Sequence, residues 1–400
     1  MLAATAVSSV GNGLSFVALP LLAIRVTSNP GLVAGVAVAS RLPWLLVGLA
    51  AGALADRLPR ARTLAAVEGG RAALVVAMAL AAATGHSPIL LLFVVAFALG
   101  SLETLFFGLI QGGLPELVAD HQLEAANGRL ATVEASGQFL VGPALGGLLF
   151  VAARALPFAV DAASFAVSGI LLAAAFAGLA RPVAASAGRL RDDIAVGLRY
   201  FAKTPIIRVL TAVLAAFALF QALATATLVL YALHRLHVGV AGYGLFVTVT
   251  AVGDVGGGLL AARVSARLPT RVLLVSAGVG TGVCYLALGL VPVIGVALPA
   301  LMFEGIAVTM GVVASMALRQ RIIPRDLLGR VGNTVRVVVY GSVPLGALLG
   351  GFVASRFGLA APFVVAGTGQ VLVLAVLARP LLRDEPRPAM APVGLAGVGA

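Results

Sequence analysis

Four ionisable side chains stand near the middle of long apolar runs: Arg41, Glu103, Asp254 and Glu304. A charge at the centre of a bilayer is costly unless it is neutralised, paired or bathed in a water-filled cavity, so each is a candidate for transport chemistry. A carboxyl removed from water favours its neutral form, and such a group can take up and return a proton. Glu304 and Glu103 are the foremost pair, and Asp254 stands among Gly253, Gly256 and Gly257. A guanidinium cannot discharge. Arg41 must therefore pair with one of the acids, face a wet cavity or hold an anionic group of a substrate. Each of the four also has a purely structural reading, as a hydrogen-bonded or ion-paired link between helices. Glu68, Arg71, Glu134 and Arg336 lie nearer the ends of their runs and read as gate or interface ion pairs, and Asp161 reads as a helix-end residue.

Other chemistries lack their residues. His86, His121, His234 and His237 fall at the edges of apolar runs without metal-ligand spacing, and Cys284 is the single cysteine. No metal site or intrachain disulfide is expected. There is no G-x-x-x-x-G-K-[ST] loop and no supported Ser/His/Asp set. No catalytic residue or cofactor is assigned, and the chain is not expected to be an enzyme.

The elements that carry these residues follow from composition. The chain is 61% hydrophobic and 10% charged, whereas a soluble domain is about half apolar and about a quarter charged. Lipid is therefore its solvent, and a spanning helix needs roughly 20 apolar residues. Spans are read at Leu2–Ile24, Gly31–Ala55, Thr63–Ala83, Pro88–Gln111, Gly128–Ala153 and Leu156–Ala180. A second set is read at Ile206–Leu233, Ala241–Ala262, Val272–Val291, Ile294–Leu318, Leu328–Ser355 and Ala360–Leu382. Helices are required because the backbone must satisfy itself in hydrocarbon; the alternating short segments of a membrane barrel are absent. The start of the chain reads as a first span, not a removed signal.

Of the 27 Lys and Arg residues, 20 fall after even-numbered spans or in the tail and 4 after odd-numbered ones. The positive-inside rule then places both termini in the cytoplasm, in a protein of the cytoplasmic membrane. The net charge of +12 is spread over short connections, so it forms no nucleic-acid face. The stretch 181–204 separates a first half (1–180) from a second (205–382), with 383–400 as a cytoplasmic tail. Leu190, Ile194, Leu198 and Phe201 recur there at helical spacing, opposite Arg191, Asp192 and Arg199. That pattern predicts an amphipathic helix at the membrane interface. The halves echo each other. Arg57–Pro59 recurs as Arg267–Pro269, Gln111–Pro115 as Gln320–Pro324, and Gly146–Gly147 as Gly350–Gly351. Three echoes in one order point to a duplicated six-helix unit.

The segment from Gly52 to Arg62, "GALADRLPRAR", resembles the cytoplasmic loop motif of the major facilitator superfamily, with Pro59 where a second glycine is usual. The resemblance implies an all-α membrane protein of twelve transmembrane helices in two pseudo-symmetric six-helix halves. It also implies a gate role for Gly52, Asp56, Arg57, Arg60 and Arg62, with Asp56 at a helix terminus and the arginines at headgroups or pairing across the halves. Gly142, Pro143, Gly146 and Gly147, in "GPALGG", resemble the fifth-helix antiporter motif of that superfamily. Physically, Pro and Gly there make either a point of bending or sliding or a place of close packing. Along 1–382 the chain is similar to the drug–proton antiporter branch that includes macrolide efflux proteins and the enterobactin exporter. "ETLFFGLIQGGLPELV", "DAASF", "GLRYFAKTP" and "PLGALLGG" are among the segments that carry the likeness.

The resemblance implies proton-coupled efflux of a small amphiphile (a drug, siderophore or natural product) by alternating access, from a monomer whose partners are its substrate, protons and the bilayer. An importer or facilitator of a small solute, or a non-transporting receptor or lipid-handling protein, remains the alternative.

Overall fold

In hydrocarbon each backbone N–H must find its acceptor within the segment, and the long alanine-, leucine- and glycine-rich runs do so as helices. The computed structural model describes residues 1–46, 58–119, 122–177, 190–324 and 327–383. The first half contains α1 (Leu2–Val26), α2 (Pro30–Leu46), α3 (Arg60–Thr84), α4 (Ile89–Leu117), α5 (residues 123–152) and α6 (Leu156–Ala175). After α7 (Leu190–Lys203) the second half contains α8 (Pro205–Thr225), α9 (Val240–Ser265), α10 (Thr270–Leu290), α11 (Ile294–Ile322), α12 (Leu328–Phe357) and α13 (Ala361–Arg383). Among the described residues 11 helices are long and apolar enough to cross a membrane, and α2 is a shorter apolar helix.

Two spans differ from the sequence expectation. The seventh ends at Thr225 instead of running on to Leu233: Thr227 leaves helical geometry (φ −115°, ψ 15°), and the chain continues as a short turn, Leu228–Leu230, and a π-turn, Tyr231–Arg235. The fifth contains a π-turn over Ser136–Val141, directly before Gly142 and Pro143. Proline has no N–H to give the preceding turn, and a wider turn absorbs that missing bond.

The helices pair in one pattern used twice. In the first half α1 packs on α5 and α6, α3 on α4 and α6, and α2 on α4. In the second, α8 packs on α12 and α13, α10 on α11 and α13, and α9 on α11. Between the halves, α2 meets α12 and α5 meets α9, again as a symmetric pair. The molecule is therefore an all-α membrane protein of two pseudo-symmetric halves. Helix α7 is seated on the second half: Tyr200 Oη donates to the Ile322 carbonyl (3.3 Å), and Phe201 packs beside Ile207, Ile323 and Val331.

Glycines set how closely these helices approach. Gly142 and Gly146 face α1, where an added Cβ would meet Gly13 and Leu14. Gly147 faces α9, against Ala241 and Gly244, and Gly244 faces the Pro143 carbonyl in return. The motif thus presents one face inside its half and the other across the seam. Gly346 and Gly350 face α8 while Gly351 faces Ala34 of α2, so the repeated Gly-Gly pair plays the same part in both halves. Helices in lipid associate largely by such close packing.

The cores of the two ends differ. At the end away from the termini one cluster joins both halves, from Leu21, Val33, Met78 and Phe158 to Leu223, Phe246, Tyr285 and Phe363. At the end bearing the termini the clusters separate. Leu64, Val67, Leu109 and Leu172 belong to the first half, and Leu210, Leu274, Ala314 and Leu381 to the second. Among the described residues the halves share one apolar cluster at one end and have separate clusters at the other.

A side chain at Gly244 would wedge the closed end open. In a Cys284→Ser background with a reporter at Val33→Cys, Gly244→Val is expected to raise labelling by a polar maleimide several-fold, since overpacking costs about 1–3 kcal/mol. Unchanged labelling would show that this seam does not hold that end closed.

Candidate functional site

In the second half Asp254 lies on the α9–α11 seam, while Glu304 of α11 is bonded from α10 and α8. Gly253, Gly257 and Gly305 bring the two helices so close that a Cβ on Gly305 would sit 2.8 Å from the Asp254 nitrogen. Glu304 lies ten residues into α11 (304 less 294), about 15 Å along the axis at about 1.5 Å per residue. It is 2% exposed. Tyr285 Oη on α10 donates to its Oε1 at 2.8 Å, and Gln221 Nε2 on α8 donates to the same oxygen at 3.3 Å. Half-buried Asp254 accepts from Thr309 Oγ1 at 2.8 Å. Its charge lies within reach of Glu304. Two carboxyls share one region of low dielectric. The described residues offer them hydroxyl and amide donors and no arginine or lysine within ion-pair distance.

The other two candidates lie in the first half. Glu103 on α4 is half-buried and within electrostatic reach of Glu134 on α5. Arg41 on α2 is also half-buried and, among the described residues, forms no ion pair. Among the described residues no ion pair joins Arg41 to Glu103, Asp254 or Glu304; of its three readings, the wet cavity and the substrate anion remain. Beside it stands a residue that charge alone did not single out. Trp44, the only tryptophan, stacks on Tyr340 of α12 across the halves (centroids 6.0 Å apart, 20° between planes). It also meets the edge of Phe107 of α4 at 5.6 Å. The signal available in the sequence was spacing: Trp44 lies three residues after Arg41, and Phe107 four after Glu103.

Two sets of groups read near helix ends are buried within the first half. Glu68 and Arg71, read as a gate or interface ion pair, form an ion pair at 3.2 Å, buried inside the first half. Ser168 donates to Glu68 at 2.6 Å, and Arg71 donates to Asn12 at 2.7 Å. The Arg71 guanidinium lies 4.1 Å from the centre of the Phe165 ring. Asp161, read as a helix-end residue, lies five residues after Leu156, the first residue of α6, and is fully buried, hydrogen-bonded by Ser15 of α1 and by Ser164.

Of the loop motif, Gly52, Asp56 and Arg57 lie outside the described residues. Arg60 is buried and donates to the Leu109 carbonyl on α4 at 3.0 Å, with Gly112 giving it room. That bond ties α3 to α4 within one half. Arg62 is exposed. The helix-5 motif lies where the α1–α5 and α5–α9 contacts meet, as described above.

A pair of repeated helix bundles, sharing one apolar cluster at one end and with separate clusters at the other among the described residues, is the architecture of a membrane transporter of the major facilitator fold. The family model described as transmembrane secretion effector matches residues 1–393, and the chain belongs to that family. It is 28% identical over 400 residues to the multidrug efflux pump Tap of Mycolicibacterium fortuitum, covering 96% of each chain. It is 26% identical over 396 residues to the multidrug efflux pump Tap of Mycobacterium tuberculosis (strain ATCC 25618 / H37Rv), covering 96% of this chain and 93% of the relative. A bacterial homologue of the human lysosomal transporter Spinster, in an inward-facing and unoccupied conformation, shares the fold with a TM-score of 0.73 at 15% identity, over 97% of each chain.

Removing the Tyr285 hydroxyl would leave buried Glu304 short of a donor, at a cost of about 1–3 kcal/mol. Tyr285→Phe should lower the thermal midpoint measured in lipid nanodiscs, and should cost clearly less in a Glu304→Leu background. Strictly additive losses would mean that the bond contributes nothing. Glu68→Ala strands a buried guanidinium and should cost about 3–5 kcal/mol, against a much smaller loss for Glu68→Gln; equal losses in the same assay would contradict the charge argument.

Proposed function

We propose that this transporter exports a small, amphiphilic, neutral or cationic compound in exchange for protons, by rocking one half against the other. The observation that carries the reading is the split core: among the described residues the halves share one apolar cluster at one end and have separate clusters at the end of Leu2 and Arg383. With the excess of Lys and Arg on that side, the positive-inside rule assigns it to the cytoplasm. The parted halves then form an inward-facing state in the cytoplasmic membrane, from which a substrate enters out of the cytosol or the inner leaflet.

Recognition falls to the seam of α2, α4 and α12. Trp44, Tyr340 and Phe107 offer flat apolar faces to a ring system, and Glu103, with Glu134 behind it, attracts a cationic group. Substrate and proton bind to a monomer, and no nucleic acid takes part. The efflux role of the named relatives supports export, and many structurally unrelated compounds fit an aromatic surface better than a hydrogen-bonded pocket would allow.

Coupling falls to Glu304 and Asp254. A ligand moves a two-state equilibrium only through different affinities for the two states. Protonating one of two neighbouring carboxyls removes their repulsion and changes the contact between α9 and α11. Because α9 also forms the seam with α5 through Gly244, a change in the α9–α11 contact reaches the interface between the halves.

The test uses the full chain in sealed liposomes with a pH-sensitive dye, an imposed proton gradient and a panel of cationic and neutral amphiphiles. Proton movement evoked by at least one compound is expected, reduced at least tenfold in Glu304→Gln or Asp254→Asn. Undiminished proton movement in both variants would remove the coupling role from these acids. No response to any compound, from correctly inserted protein, would count against proton exchange itself.

A further inference from the structure

The buried network of the first half has no part in the mechanism above, and its charges do not balance as written. Three ionisable groups meet among α1, α3 and α6: Glu68, Arg71 and Asp161, which are 0%, 2% and 0% exposed. A guanidinium stays charged in a protein. With both acids ionised, the cluster would carry a net negative charge inside the membrane, where an uncompensated ion is least tolerated. One proton restores neutrality.

Geometry says where that proton resides. Glu68 receives the Arg71 guanidinium at 3.2 Å and the Ser168 hydroxyl at 2.6 Å, which are the partners of a carboxylate. Asp161 receives only hydroxyls: Ser15 at one oxygen, and Ser164 at the other at 3.3 Å. A hydroxyl can accept as readily as it donates, so a protonated Asp161 keeps a partner in either state. Gly11 makes the site possible, since any side chain there would overlap the Ser164 hydroxyl and the Asp161 carboxylate. The charged groups of the described residues that act on Asp161 are both on α3, Arg71 and Glu68; α1 contributes the uncharged Ser15.

We propose that Asp161 is an exchangeable proton-binding site in the first half, set against the Glu68–Arg71 pair. Half-exposed Asn12 accepts from Arg71 Nη2 at 2.7 Å and is the part of the network least enclosed by protein. When the Asp161 O–H gives its proton to water, the network holds two carboxylates around one guanidinium. Arg71 then has reason to turn from Glu68 toward Asp161, which alters the α3–α6 and α1–α6 contacts. A role for this site in driving transport rests on the proton-exchange reading above; the proton site itself does not.

The test is therefore spectroscopic. The full chain in lipid nanodiscs is titrated while infrared difference spectra follow the C=O stretch of protonated carboxyls. A band that appears as the pH falls is expected, absent from Asp161→Asn and retained in Glu304→Gln and Asp254→Asn. Ser15→Ala, which leaves the carboxyl in place, should shift its frequency and decides the matter if Asp161→Asn does not fold. A carboxyl spectrum identical to wild type in Asp161→Asn or in Ser15→Ala would overturn the proposal. So would an Asp161 band that persists at every pH, or one that responds to sodium at constant pH in place of protons. None of these outcomes depends on whether a substrate is moved.

Discussion

Hydrocarbon offers no hydrogen bonds, and that constraint shapes every level of this protein. It makes each long segment a helix, because only a helix satisfies its own backbone. It requires side-chain polar groups inside the bundle to find partners there. Glu304 has Tyr285 and Gln221, Asp254 has Thr309, Glu68 has Arg71 and Ser168, and Asp161 has Ser15 and Ser164. These groups persist at a cost that well-packed apolar residues would not incur. Such a cost is understandable where the groups change state during transport.

The same solvent removes the hydrophobic drive for helices to associate, so shape and close approach must hold the bundle. Glycine seams answer that need. The "GPALGG" segment faces α1 with Gly142 and Gly146, and α9 with Gly147. One short sequence thus sets a contact within a half and a contact between halves. The π-turn immediately before it places a backbone of poorer hydrogen-bond geometry at the junction of the two contacts. Bundles joined by smooth glycine surfaces can tilt without tearing interlocked side chains apart, as the split core at one end and the joined core at the other require.

Much of the fold was legible from the sequence because membrane helices are encoded locally. Apolar run length, the Lys and Arg bias and the repeated "RLP" and Gly-Gly segments led to twelve helices in two related halves. The errors fell where local pattern and tertiary context disagree. Thr227 breaks a run that is apolar on both sides. Arg41 was read as pairing with an acid, facing a wet cavity or holding a substrate anion, and depth along a helix does not reveal which way a side chain points. Glu68, Arg71 and Asp161 were placed near helix ends, where exposure is the default; three helices bury them together.

Composition and periodicity were thus enough to decide the solvent, the helices, their duplication and which residues carry charge into the membrane. Tertiary structure alone decided which of those charges meet. It set Glu304 against Tyr285 and Gln221 and Asp254 against Thr309, left Arg41 without an acid partner among the described residues, set Trp44 on Tyr340 across the two halves, and enclosed Asp161 with Glu68 and Arg71. The physical reason is that a helix presents its residues to several neighbours at once. The choice of neighbour is made by close packing between distant segments, a property of surfaces and not of any local run of residues.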